Sequence, residues 1–154
     1  MARGEVRKIC VECGNEFRTT KQFFKRADAE RWEQWAEQNI DTCPECYKKA
    51  EMANHLRHAL EYAKDNNLPT LSGTEKQISW AETIRYDVLK EIKPEEMFYL
   101  RKSVTGFEES DGDMEALIAA GGTLEEVTKM YRDIHKRELV MLTSESAKEI
   151  IENR

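Results

Sequence analysis

The sequence predicts a mainly α chain in two parts. A small N-terminal module built on four cysteines, with a short hairpin and helices, precedes a small C-terminal helical bundle. Three observations predict this. The only four cysteines fall into two pairs, Cys10-Val-Glu-Cys13 and Cys43-Pro-Glu-Cys46. Apolar residues recur at helical spacing over most of the chain beyond Ala27. Only three prolines, Pro44, Pro69 and Pro94, interrupt 154 residues rich in Glu, Lys, Ala and Leu, the strong helix formers.

The cysteines set the chemistry. Each Cys-x-x-Cys lets two thiolates of one tight turn reach the same cation, and two such pairs complete a tetrahedral S4 shell. That closed geometry is the one structural zinc takes. We therefore expect one structural Zn2+ on Cys10, Cys13, Cys43 and Cys46. Two disulfides would require an oxidising compartment, and residues 1–8 hold no apolar signal region. A redox pair would follow a strand in a βαβ pattern, and none is visible. The 29 residues between Cys13 and Cys43 exceed the roughly 12–20 usual in a zinc ribbon. An inserted helix explains the excess.

In chain order, residues 5–13 read as a short strand entering the first metal turn, with Gly14 suited to its tight backbone. Glu16–Phe24 reads as a strand or hairpin. Phe17, Thr19, Lys21 and Phe23 share one face, and Arg18, Gln22, Phe24 and Arg26 lie nearer the other. Residues 27–39 form the inserted helix, whose Trp32, Trp35 and Ala36 share a stripe. That stripe is expected to pack on the metal module; an exposed Trp pair would instead mark a docking surface. Thr42-Cys43-Pro44-Glu45 matches a capping box, so a helix should begin at the second pair and run to about Asn66. Its Tyr47, Ala50, Ala53, Leu60 and Ala63 follow helical spacing. A knuckle followed by a helix carrying the second pair resembles a treble-clef or zinc-ribbon finger.

Asn66-Asn67-Leu68-Pro69 is a break. It separates a zinc-binding module at 1–66 from a helical domain at 70–154. Ser72 with Glu75, or Thr74 with Gln77, caps the next helix, whose stripe is Ile78, Ala81, Ile84, Val88 and Ile92, broadened by Trp80 and Leu89. Pro94 opens another helix. A short one follows at about 113–120 and ends at Gly121-Gly122. Thr123 with Glu126 caps a helix carrying Val127, Met130, Tyr131, Ile134, Leu139 and Leu142. Thr143-Ser144 caps a last helix from Glu145 to about Asn153.

The stretch Ser72-Gly-Thr-Glu-Lys-Gln-Ile-Ser-Trp-Ala-Glu-Thr-Ile-Arg85 resembles a motif of small, mostly uncharacterised proteins of phages and bacterial mobile elements. The segment Ala147-Lys-Glu-Ile-Ile-Glu-Asn-Arg154 is similar to a helix found near their ends. There Trp-Trp usually stands where this chain has Glu149 and Ile150. The resemblance implies a mobile-element origin and brings no activity with it. Anti-defence proteins, including inhibitors of CRISPR effector nucleases, are common among such small products.

Charge and motifs narrow the function classes. Residues 1–66 hold 12 basic and 12 acidic side chains, and residues 67–154 hold 12 and 18, for a net charge of −6. A strongly basic nucleic-acid binder is excluded, though local basic patches are not. The mean hydropathy is −0.75, and no apolar run approaches the roughly 20 residues of a membrane helix. A cytoplasmic protein with no membrane partner is expected. No phosphate loop, His-Glu-x-x-His pair, nucleophile elbow or dinucleotide fingerprint occurs. With every cysteine committed to metal, we expect no enzyme and no small-molecule substrate.

Two binding readings remain. In the first, Arg7, Lys8, Arg18, Lys21, Lys25 and Arg26, with Lys48 and Lys49 on the following helix, contact nucleic acid. Basic and aromatic residues interleave there, as on single-strand surfaces, although Phe17 and Phe23 equally suit a small core beside the metal. In the second, the partner is a nucleic-acid-handling protein such as a nuclease. Residues 103–128 carry seven acids and no Lys or Arg. Glu108, Glu109, Asp111, Asp113 and Glu115 would present an acidic surface to a basic channel. An ordinary solvated acidic loop explains the same residues.

Overall fold

The computed structural model describes residues 1–154. Eight helices hold 61% of the chain, and the only sheet is one two-stranded hairpin, so the mainly α expectation holds. No helix is long and apolar enough to cross a membrane. The chain divides into two compact units, Met1–Asn54 and His55–Arg154. The long helix α2 (Pro44–Asp65) contributes residues to both.

In the first unit, β1 (Ala2–Ile9) pairs antiparallel with β2 (Glu16–Phe23), in register from Ala2↔Phe23 to Ile9↔Glu16. Alternation gives the hairpin two faces. Gly4, Val6, Phe17 and Phe23 face α1 (Arg26–Asn39), which packs on β1. Trp32 of α1 lies so close to Gly4 that a Cβ there would stand 2.7 Å from its ring, and it meets Phe23 at 5.9 Å between centroids. Helix α1 also covers the free edge of β1. Glu5 N–H donates to Glu33 Oε1 (2.9 Å), and Arg26 donates to Arg3 O (3.4 Å). A strand edge is thereby closed to stray pairing. Trp35, by contrast, is 53% exposed. The expected Trp stripe therefore divides: Trp32 and Ala36 pack inward while Trp35 faces solvent.

In the second unit, α3 (Glu75–Leu89), α7 (Lys136–Thr143) and α8 (Ala147–Glu152) surround a core of Leu71, Ala81, Leu89, Met141, Ala147 and Ile150. Ile78, Ile84, Val88 and Ile92 pack against it, so the stripe read along α3 is its buried face. Thr74 Oγ1 accepts from Gln77 N–H, and Gln77 Oε1 accepts from Thr74 N–H. The cap is therefore the Thr74 one rather than the Ser72 one. Ser72 is used elsewhere: its N–H donates to Glu145 O at 2.7 Å, and its O accepts from Ala147 N–H at 3.0 Å. That bridge holds residues 144–146 extended, so the last helix starts at Ala147 with Ser146 as its cap, two residues later than expected. The stretches 72–85 and 147–154 thus form one packed substructure, closed by Arg154 over Trp80 at 4.6 Å.

Helices α4 (Pro94–Thr105), α5 (Met114–Ala119) and α6 (Leu124–Ile134) complete the unit. A single helix was expected from Thr123 through Leu142. His135 (φ −104°, ψ 27°) breaks it into α6 and α7. Met130 and Ile134 of α6 face outward, 57% and 67% exposed. Tyr131 is half-buried, between Phe107 and His135.

Candidate metal centre

Local structure brings the cysteines together in two steps. Cys10 follows β1 directly, and its N–H donates to Asn15 O (2.9 Å) while its O accepts from Gly14 N–H (2.9 Å). Gly14 takes the left-handed φ of 72° that closes this knuckle, a conformation costly for any residue with a Cβ. Val11 N–H then donates to Asp41 O (3.0 Å), which ties the knuckle to the segment leading into α2. Pro44 opens α2, so Cys43 and Cys46 lie beside its first, unpaired N–H groups.

The four sulfurs lie within 4.8 Å of one another, and Cys13 Sγ stands 3.9 Å from Cys43 Sγ. No disulfide links them. Four thiolates at about 2.3 Å from one ion stand about 3.8 Å apart at tetrahedral corners. The cluster therefore has the size of a metal-filled shell, and the four residues could hold a metal ion. Two backbone donors orient the sulfurs: Cys43 N–H to Cys10 Sγ (3.2 Å) and Cys46 N–H to Cys43 Sγ (3.4 Å). Phe17 and Ile40 close the cluster on the protein side.

The electrostatics point the same way. The N–H of Cys43, with further donors in the knuckle, pulls the Cys10 thiol down to about 6. The neighbouring Cys43 thiol and burial push Cys46 up to about 12. Sulfurs this close oppose one another's ionisation. A cation at the centre reverses that opposition and deprotonates all four.

The basic residues named above fall into two groups. Arg7 and Arg18 are directly opposite across the hairpin on its solvent face. Both bind Glu5, Arg7 at 3.0 Å and Arg18 in closer contact. Lys21 is exposed, its ammonium 5.6 Å from the Phe23 ring centre. Lys25 is the exposed N-cap of α1. Lys8 and Arg26 are both paired, Lys8 largely covered and Arg26 on the surface. Lys8 donates to Glu37 O (2.5 Å) and pairs with Asp41 (2.7 Å), while Arg26 pairs with Glu30 (3.0 Å) and Glu33 (3.7 Å). Lys48 and Lys49 stand exposed on α2 in the turn after Cys46. Sequence reasoning missed Arg3, which shares the solvent face with Arg7; counting β1 in twos from Arg7 would have found it.

The acidic set divides as well. Glu108, Glu109, Asp113 and Glu115 are exposed. Asp111 is turned inward, 6% exposed. It accepts from Glu108 N–H at 2.8 Å and pairs with Lys102 at 3.3 Å. These contacts hold its carboxyl below the usual aspartate range, the Glu108 N–H foremost. Asp111 therefore holds a turn and is not part of the open acidic surface. Set beside known protein families, curated proteins and solved structures, the chain matches none.

Proposed function

We propose that the first unit is a zinc-stabilised, treble-clef-like finger that binds nucleic acid, and that the protein acts by binding, without catalysis. Charge segregation within the unit carries this reading. Residues 1–26 hold seven basic side chains against three acidic ones, whereas residues 27–54 hold three against seven. Arg3, Arg7 and Arg18 all lie on the hairpin face turned away from α1. Guanidinium forks on an open two-stranded surface suit a phosphodiester backbone. The zinc, through Cys10, fixes the end of β1 that carries this face. Zinc is the ion that best fits four thiolates in a closed shell.

Fluorescence anisotropy of the zinc-loaded protein with labelled DNA and RNA tests it. Binding should weaken steeply with salt, and Arg18→Glu with Lys21→Glu should reduce the salt slope by about 0.7 per lost phosphate contact on a single strand. Absence of binding at low salt would refute it.

A second reading has its own support. The exposed carboxylates Glu108, Glu109, Asp113 and Glu115 lie in a stretch without Lys or Arg, and the resemblance to phage proteins agrees with an anti-defence role. In that reading the acids occupy the basic channel of a host effector nuclease in the cytoplasm. Reversing those four charges would abolish inhibition while leaving nucleic-acid binding unchanged.

A further inference from the structure

One carboxylate stands in the middle of the basic hairpin face. The register puts Arg3 opposite Gln22, Glu5 opposite Thr20 and Arg7 opposite Arg18, and all six side chains belong to the face turned away from α1. Glu5 is the only acid among them. On a surface that meets phosphate it carries the wrong charge, so its contacts matter.

Arg7 and Arg18 are directly opposite each other. Side chains so placed start from Cβ atoms about 5 Å apart, and like charges there repel. Glu5 lies two residues before Arg7 on β1 and diagonal to Arg18 on β2. Its Oε1 accepts from Arg7 Nε at 3.0 Å, and its Oε2 accepts from Arg18 Nη2 in closer contact. The Arg7 hydrogen bond foremost, with Arg18 behind it, holds the Glu5 carboxyl below the usual glutamate range. One carboxylate thus ties two guanidiniums side by side and leaves one positive charge in excess. Neither arginine is used up by this, because neither makes another hydrogen bond within the chain. Arg7 keeps both Nη groups, the fork that meets a phosphate in bidentate fashion, and Arg18 keeps Nε and Nη1.

We propose that Glu5 is a positioning residue for nucleic-acid binding, holding Arg7 and Arg18 together as one preformed clamp for a phosphodiester. This rests on the nucleic-acid reading of the first unit. A free arginine loses rotamer freedom when it binds, whereas one already tied to Glu5 has lost it on folding. Positioning and plain electrostatics predict opposite signs. Coulomb's law alone makes removal of a negative charge from a phosphate-binding face tighten binding. Loss of a positioning group weakens it.

The test is Glu5→Gln, which keeps the side chain's size and removes its charge. Exposed ion pairs add little to folding stability, so the amide signals of β1 and β2 should stay dispersed. Anisotropy of the full zinc-loaded chain is measured at low salt with a labelled oligothymidylate and with a duplex of equal length. On whichever binds the unaltered protein more tightly, Glu5→Gln should weaken binding by about threefold to tenfold, the cost of ordering two rotamer-rich side chains less the gain from the lost repulsion. In a protein already carrying Arg7→Gln and Arg18→Gln, Glu5→Gln should instead tighten binding, because only the repulsion is left to remove. Unchanged or tighter binding by Glu5→Gln alone would overturn this inference and leave the nucleic-acid reading standing. Weakening in both backgrounds would mark a structural role and would also overturn it. Absence of any binding by the unaltered protein would overturn both.

Discussion

Removing the metal should unfold residues 1–54 and leave residues 55–154 folded. The magnitude follows from how little else holds the first unit. Its buried apolar side chains are Val6, Cys10, Phe17, Ala29, Ala36 and Cys43. Two of these six are cysteines of the four-sulfur cluster and two are alanines. A domain of 54 residues has a stability of about 3–8 kcal/mol at ordinary values per residue. A four-thiolate zinc site contributes about 10–16 kcal/mol at neutral pH, more than the whole unit's net stability. The second unit has its own core around Leu89, Met141 and Ile150. The assay is chelator titration of a Trp80→Phe variant, in which Trp32 and Trp35 are the only tryptophans left. Their emission should shift red as metal leaves, because Trp32 loses Phe23 and Gly4. Amide signals of β1 and β2 should collapse to random-coil positions while those of α3, α7 and α8 stay dispersed. Unchanged β1 and β2 signals in protein shown to be metal-free would refute the reasoning.

Two further outcomes follow from the second unit. Ile150→Ala empties a site that is fully buried against α3; it should cost about 2–5 kcal/mol in denaturant unfolding, with the signals of the first unit unaffected. Asp111 has its folded-state carboxyl pKa below the ordinary 3.8. The stability it contributes is therefore full above that value and is lost as pH falls through the lower folded-state one. Asp111→Asn should lower the melting temperature at neutral pH and flatten the acid limb of the stability profile. A variant whose acid limb matches that of the unaltered protein would remove the Lys102–Asp111 pair from the account.

Much of this fold was legible because its signals are local. The capping boxes Thr74–Gln77 and Thr123–Glu126 need only four residues each, and both form. The α3 stripe and the two cysteine pairs are likewise readable from spacing alone. What stayed hidden depends on partners distant in sequence. The break at His135 and the late start of α8 come from tertiary demands, the second from Ser72 bonding to Glu145 and Ala147. The α2 pattern over Tyr47, Ala50 and Ala53 is periodic yet wholly exposed, since periodicity reports a face and not what covers it. At the site, the four cysteines that the fold brings together were evident from the sequence. Which charges remain free was not, because ion pairs such as Lys8–Asp41 and Lys102–Asp111 join residues that only the fold brings together.

The most direct test of the central claim is an amide chemical-shift titration of the zinc-loaded protein with a short single-stranded oligonucleotide at low salt. The account predicts perturbations grouped on residues 3–26, strongest at Arg7, Arg18 and Lys21, and reversed by added salt. A spectrum that does not move, or movement confined to residues 103–128, would contradict it.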